Sequence, residues 1–297
     1  MRACLASHNI NMSTELLVSR QNRDGGWPYV RGVSWTEPTV YAILALLATG
    51  EKEASGRGMA WIRARQRQDG GWPPQPGFDE STWVTALAAL LPRDLLGAAA
   101  HQRAIAWLLH IQGEETSTVY RVRQWMLGIN VRPENEFPGW PWIGGTAAWV
   151  GPTSLAILAL DKEHGRRPDA AIRQRVQDGR NFLLRRMCLD GGWNHGSVRA
   201  LGYESSPYPE TTGVALAAMR GVKAPQIPLS IAVAQRFLGE CRSADACNWL
   251  RLGLLAHGQL PVGYCRPADM LYRNLTETSL DLLAAETQAG RETFWLV

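Results

Sequence analysis

Long apolar runs are missing from this 297-residue chain. No stretch reaches the ~18 consecutive apolar residues of a membrane-crossing helix. Residues Met1 to Asn11 are too polar to hold the ~7–15-residue apolar segment of a secretory leader. Cysteine is scarce and odd in number: Cys4, Cys188, Cys241, Cys247 and Cys265, with no Cys-x-x-Cys pair. That excludes a disulfide framework and predicts reduced thiols in a cytoplasmic protein, soluble or at most peripheral to a membrane. Charge is modest as well, with 20% Asp, Glu, Lys and Arg and a net charge of +4. Basic residues are scattered over the outer faces of predicted helices, such as Arg57–Arg67, and form no patch for nucleic acid. No G-x-S-x-G, P-loop or H-E-x-x-H signature occurs, and the dispersed histidines carry no catalytic assignment. Nowhere does the apolar/polar alternation of a half-buried strand appear.

What the chain does have is internal repetition. Arg23-Asp24-Gly25-Gly26-Trp27-Pro28 recurs as Gln68-Asp69-Gly70-Gly71-Trp72-Pro73, and again as Leu189-Asp190-Gly191-Gly192-Trp193. Each copy follows an amphipathic stretch of helical period and precedes an almost wholly apolar one, of which Thr39–Leu47 is the first. A helix with a polar face meets water, whereas one that is apolar all round must be surrounded by protein. Alternating the two kinds builds two concentric helical layers, polar outside and apolar inside. The paired glycines permit a tight left-handed bend between layers. The Asp caps backbone amides there, and the Trp covers the joint between neighbouring hairpins. The chain therefore reads as one all-α domain over residues 1–297, of about six helical hairpins, with an irregular insertion around 131–150. Tyr120–Asn130 is a further helical segment, either a seventh inner element or part of that insertion.

A second repeated feature opens the inner helices: Glu37-Pro38-Thr39, Glu80-Ser81-Thr82, Glu210-Thr211-Thr212 and Glu277-Thr278-Ser279. Alignment of the apolar runs adds Gly151-Pro152-Thr153 and Asp245-Ala246-Cys247. Taken singly, each acid is accounted for by the positive end of its helix dipole, worth about 0.3–1 kcal/mol. Taken together, five carboxylates at one mouth repel one another, so at least one is expected to hold its proton near neutral pH. A bound cation is the other way to relieve that repulsion. With 13 Trp against 5 Phe, the rings beside the acids (Trp35, Trp83, Trp142, Trp149 and Trp249) are candidate substrate contacts. Arg251, inside an apolar run, is expected to pair with Asp245 or another acid, or to hold an anionic group.

The Gln-Asp-Gly-Gly-Trp pattern at Gln21–Trp27 and Gln68–Trp72 resembles the repeat of squalene-hopene and oxidosqualene cyclases and of protein prenyltransferase β subunits. The match is partial at Asp190–Trp193 and at Gln112 with Trp140, which are far apart. The resemblance implies an α/α toroid that handles a hydrophobic isoprenoid. Class II terpene cyclases protonate their substrate from the central Asp of Asp-x-Asp-Asp ahead of a Thr. That motif is absent, and Asp79-Glu80-Ser81-Thr82 aligns with it, which makes Glu80 the candidate proton donor. Prenyltransferases hold zinc through Asp-x-Cys and a later His. Asp245-Ala246-Cys247 matches the first half, Glu277 stands where the His is expected, and Asp245, Cys247 and Glu277 become candidate ligands for zinc or magnesium. The readings are thus acid-initiated cyclisation or isomerisation of a polyene with no cofactor, zinc-assisted prenyl transfer with or without a partner subunit, and a non-catalytic toroid that binds a hydrophobic or cationic ligand.

Overall fold

The computed structural model describes residues 2–129, 135–196, 199–200, 203–267, 270–291 and 293. Outer and inner helices alternate along most of it. The order is α1 (Arg2–Ser19), α2 (Thr36–Ala48), α3 (Lys52–Arg63), α4 (Val84–Leu90), the single turn α5 (Arg93–Leu96), α6 (Ala98–His110) and α7 (Thr118–Met126). It continues with α8 (Val150–Arg166), α9 (Ala170–Arg185), α10 (Pro209–Ala218), α11 (Ile227–Glu240), α12 (Ala244–Ala256) and α13 (Leu275–Gln288). The strands β1 (Arg199–Ala200) and β2 (Tyr203–Glu204) form a two-residue antiparallel ribbon, a minor departure from an all-α chain.

Six helices make the inner ring, in the order α2, α4, α8, α10, α12 and α13, which closes on α2. They are apolar on every side: Val40 to Leu46 in α2 are buried without a break. The amphipathic helices lie outside. Helix α1 packs against α13 and α2, α3 against α2, α6 against α4 and α8, α9 against α8, and α11 against α10 and α12. This is an α/α toroid. The sixth outer place, between α12 and α13, holds no helix among the described residues. Helix α7 is no inner element; it belongs to an insertion that starts earlier than the sequence implies. Residues 130–134, which fall within that segment, lie outside the described residues.

Four buried tryptophans fix the joints. The indole N–H groups of Trp27, Trp72, Trp140 and Trp193 donate to the carbonyls of Leu17, Ile62, Leu108 and Leu183 at 2.7–2.9 Å. Those carbonyls lie in the last turns of outer helices, where the i→i+4 ladder ends; Leu17, Ile62 and Leu183 also accept a three-residue bond from Arg20, Arg65 and Arg186 at 3.1–3.3 Å. The backbone N–H of the same four residues donates to the hydroxyls of Thr39, Thr85, Thr153 and Thr212 at 2.8–3.0 Å. Each Trp thus joins the last turn of an outer helix to the first turn of an inner one. The joint packs closely around the residue before each Trp, which is glycine in all four turns. A Cβ on Gly26, Gly71, Gly139 or Gly192 would come within 2.4–2.7 Å of a neighbouring side chain.

This geometry revises the sequence register twice. The ring hydroxyl of α4 is Thr85 and not Thr82, because the first turn of α4 is tightened, with Thr85 N–H bonded to Thr82 O at 3.0 Å. The repeat glutamine is Gln66 and not Gln68. Gln21 and Gln66 each donate to the first-glycine carbonyl (Gly25, Gly70) and to a carbonyl of the next outer helix (Ala54, Ala100) at 2.7–2.9 Å. The other two turns lack such a glutamine and draw the same support from the next outer helix. Arg175 donates to Pro138 O at 2.9 Å and Gly139 O at 3.1 Å, and Ser230 donates to Gly191 O at 2.6 Å. Arg175 also stacks on the Trp140 ring, 3.3 Å from its centroid. Pro138–Trp142 is therefore a repeat turn. Gly113 N–H bonds Gly139 O at 3.2 Å, which loops out the chain between them.

Two substitutions test this register by urea unfolding. Thr85→Val strips the partner from a buried Trp72 N–H and should cost about 1–3 kcal/mol. Thr82, whose buried hydroxyl has no partner, should tolerate valine with no loss. The opposite ranking would restore the Thr82 register. Trp72→Ala should cost about 3–5 kcal/mol, as for other buried Trp truncations.

Candidate active site

The inner helices start at one end of the ring, and backbone hydrogen bonds link those starts. Thr36 N–H donates to Pro74 O (2.8 Å), Trp83 N–H to Trp142 O (3.0 Å), Val150 N–H to His195 O (3.0 Å) and Leu275 N–H to Tyr29 O (2.7 Å). In each case the start of one inner helix is tied to the turn before the next. The rim that results carries Glu37, Trp83, Gly151, Glu210, Asp245 and Glu277, each two residues ahead of its ring hydroxyl or thiol. Glu80 is not among them. It is exposed on the bend before α4, displaced by the register shift.

The four remaining acids occupy one continuous arc: Glu210 on α10, Asp245 on α12, Glu277 on α13 and Glu37 on α2. Burial pushes the Glu37 carboxyl up to about 7, opposed by the hydrogen bond that the Tyr29 hydroxyl donates to Oε2 and reinforced by the charge of Asp245. Burial also lifts Asp245 to about 6, helped by Glu277 and Glu210 and offset by Arg273 and a hydrogen bond with Trp249. Helices α2 and α12 are separated in the ring by α13. The Glu37–Asp245 interaction therefore reaches across the interior. One turn deeper, Tyr41 and Trp249 do the same, edge to face with centroids 6.3 Å apart. Glu277 has a different role. Buried, it accepts the Arg273 backbone N–H at 2.7 Å and Nε at 3.1 Å, and its own N–H is capped by Asn274 Oδ1 at 2.9 Å.

Aromatic rings stand at the starts of α4 and α8 and also between the acids, at the starts of α2 and α10. Trp83 and Trp142 meet edge to face at 4.9 Å, with the Trp142 ring over Gly151. Trp149 lies 6.3 Å from His195, which lies 5.2 Å from Tyr208. Trp35 packs on Tyr29 at 5.4 Å. Sequence reasoning missed Tyr29, Tyr41 and Tyr208. Tyr208 carried a readable signal: it stands four residues ahead of Thr212, as Trp35 does of Thr39 and Trp149 of Thr153.

Two expectations are corrected. Arg251 pairs with neither Asp245 nor another rim acid. It is buried against Asp281 at 2.5 Å and Asn248 at 3.1 Å, in a network where Tyr272 also donates to Asp281 at 2.5 Å. This network sits under the chain that replaces the sixth outer helix. Asp245, Cys247 and Glu277 do not fit a zinc or magnesium ion either. The buried Cys247 thiol turns to Cys241, whose carbonyl lies 3.9 Å away, while Glu277 is occupied by Arg273. Among the described residues no group of three or more His, Cys, Asp or Glu is placed to hold a metal ion. Cys188, Cys241, Cys247 and Cys265 are free thiols, and Cys4 lies outside the described side chains.

Glu37 makes stability depend on pH. Its folded pKa of about 7 lies above the ordinary ~4.3 of an unfolded Glu. Between those values the folded state binds more protons, so stability is greatest below about pH 4.3 and falls as pH rises through 7. The Glu37 contribution lost between pH 5 and 8 should be about 2–3 kcal/mol, and Asp245, raised to about 6, adds a decline of the same sign. Urea unfolding at pH 5 and 8 should show the combined decline, and Glu37→Gln should reduce it to the part that Asp245 supplies. An equal decline in the variant would remove Glu37 as its source.

No protein-family model matches the chain, and no curated protein does. Solved structures are similar across nearly all of it. The type II terpene cyclase MstE from Scytonema is 16% identical, with 96% of this chain and 99% of that one covered and a TM-score of 0.60. The family 8 glycosyl hydrolase endoglucanase Cel10 from Klebsiella pneumoniae is 15% identical, with 94% and 100% covered and a TM-score of 0.62. The endo-β-1,4-glucanase CMCax from Acetobacter xylinum is 14% identical, with 94% and 98% covered and a TM-score of 0.60. At these identities the likeness is one of fold, and the fold they share with this chain is the α/α toroid.

Proposed function

We propose that this protein is an isoprenoid-handling enzyme that starts cyclisation or isomerisation of a polyene by proton transfer, with Glu37 as the donor in place of Glu80. The observation that carries this reading is the Glu37 carboxyl at the inner rim, raised to about 7 by burial and hydrogen-bonded by the Tyr29 hydroxyl, with Tyr41 and Trp249 one turn below it. In the first step the Glu37 O–H bond breaks and the π electrons of a terminal alkene form the new C–H bond. The adjacent carbon becomes cationic. A raised pKa keeps the proton loaded but does not make Glu37 a strong acid. Two features compensate. The Tyr29 hydroxyl stabilises the carboxylate left behind, and desolvated ring faces stabilise the cation by about 2 kcal/mol or more each. Asp245 is the nearby base that accepts a proton when the cation collapses to an alkene.

A second reading is glycoside hydrolysis. It is favoured by the same pair of raised carboxyls, one suited as general acid and the other as base or nucleophile, and by the glucanases that share the fold. Incubation with squalene and with polyprenyl diphosphates, followed by mass spectrometry of the extract, is expected to give cyclised or isomerised products. Glu37→Gln should lower that rate by about 10²–10⁴-fold, and Glu80→Gln should leave it unchanged. Release of reducing sugar from β-1,4-glucan would support the glycosidase. Absence of any turnover, with a lipid co-purifying, would support a binding toroid.

A further inference from the structure

Helix α7 is amphipathic the wrong way round. Its half-buried residues are polar, Tyr120 and Gln124, and its apolar residues face water. Val119 is 81% exposed, Trp125 81% and Met126 74%, with Val122 at 49% between them. At 100° per residue these four fall within one face about 120° wide, and Arg121 and Arg123 flank it on either side. A groove of about 520 Å³ runs along this face between Thr118, Val122, Met126 and Leu127. Behind it Tyr120 reaches a polar cavity of about 470 Å³ with Glu114, Glu115 and Arg186, and Arg123 stands between this cavity and the groove, lining both. The helix therefore rests on the toroid through its polar side. Scattered exposed apolar residues need no explanation, but a continuous face that includes an exposed Trp does.

We propose that α7 docks the toroid onto an anionic lipid surface, lying in the headgroup plane. The charge pattern selects this occupant. No acid lies on α7, and both arginines stand at the border of the apolar face, where an interfacial helix places cations against lipid phosphates. Their stems bury along the apolar boundary while the guanidinium groups stay at headgroup level. Arg121 donates one hydrogen bond to the Glu136 carbonyl at 3.0 Å and keeps further N–H groups for a phosphate. Of the nearby acids, Glu115 is buried on the Ala148 N–H at 3.0 Å and Glu136 pairs with Arg185 at 2.8 Å, while the exposed Glu114 lies on the polar cavity behind the helix. Nine residues of helix span about 14 Å, enough to lie in an interface and far too short to cross a bilayer. Among the described residues no helix is long and apolar enough to cross.

The docking does not rest on the proposed chemistry, because it is read without turnover. Full-length protein is sedimented with vesicles of phosphatidylcholine and phosphatidylglycerol at 3:1, and with phosphatidylcholine alone. The protein should pellet with the anionic vesicles and be released at 0.5 M NaCl. Replacement of Val119, Trp125 and Met126 together by Ser should abolish pelleting, and Arg121→Gln with Arg123→Gln should weaken it about fivefold per arginine. These positions are exposed, and an unchanged unfolding midpoint would confirm that the variants fold. Three results would each overturn the proposal: no pelleting of the native protein, pelleting indifferent to the triple change, or a concentration-dependent dimer in light scattering that Trp125→Ser dissolves.

Discussion

A backbone N–H cannot be buried without a partner, and in this molecule four such groups are supplied by threonine. Each Trp of the repeat turns is buried whole, and its N–H would be orphaned at a cost of about 1–3 kcal/mol without the hydroxyl opposite. The hydroxyl must come from the first turn of an inner helix. This requirement fixes how far each inner helix slides along its axis. The indole N–H fixes the other side of the joint by meeting a carbonyl in the last turn of the outer helix, where the regular ladder ends. The apolar surfaces alone are compatible with several registers; these two hydrogen bonds select one. Loop length then becomes irrelevant to register, which is why the chain between Gly113 and Gly139 loops out without disturbing Trp140 or Thr153.

Fixing the register also fixes the rim. Once the hydroxyls are level, the residue two positions ahead of each is delivered to the same end of the ring, whatever its chemistry. Carboxylates at Glu37, Glu210 and Asp245 and the Trp83 ring are held at comparable depth by one scaffold. The placing of acids and aromatic rings around the rim is therefore a choice of side chains on a fixed frame. Burial raises the Glu37 and Asp245 carboxyls, and the neighbouring charges that the frame holds close add to the rise.

The two-layer toroid was legible because helical period and the Asp-Gly-Gly-Trp turn are strong local signals. The site was legible only as far as the register. At α4 the first turn is tightened, so Thr82 and Thr85 compete for one role, and only the Trp72 N–H distinguishes them. The same ambiguity separates Gln66 from Gln68. Glu80 was carried with Thr82 and so landed in solvent. Arg251 was recognised as a charge in need of a partner, but Asp281 lies on another helix, a pairing that no local spacing reveals. Asp245 and Cys247 share a short motif, yet two residues along a helix point in nearly opposite directions. The adjacent Cys241, not the acid, is what Cys247 meets.

Half of the acidic arc, Asp245 on α12 and Glu277 on α13, stands where the repeat fails, whereas Glu37 and Glu210 follow the complete Trp27 and Trp193 turns. No Gly-Gly-Trp turn precedes α12 or α13. There α10 and α12 close on each other through glycines instead: a Cβ on Gly213 or Gly253 would meet the facing backbone at 2.4 Å. Between α12 and α13, where an outer helix is missing, the Arg251–Asp281–Tyr272 network takes over. Glycine contact and a buried ion pair hold α12 and α13 without a Trp joint, and Glu277 is fixed there by Arg273 and Asn274. Glu37 and Glu210 stand instead on helices that the Trp27 and Trp193 joints fix. Glu37 and Asp245 thus face each other across the ring on two kinds of support, a Trp joint under one and glycine contact under the other.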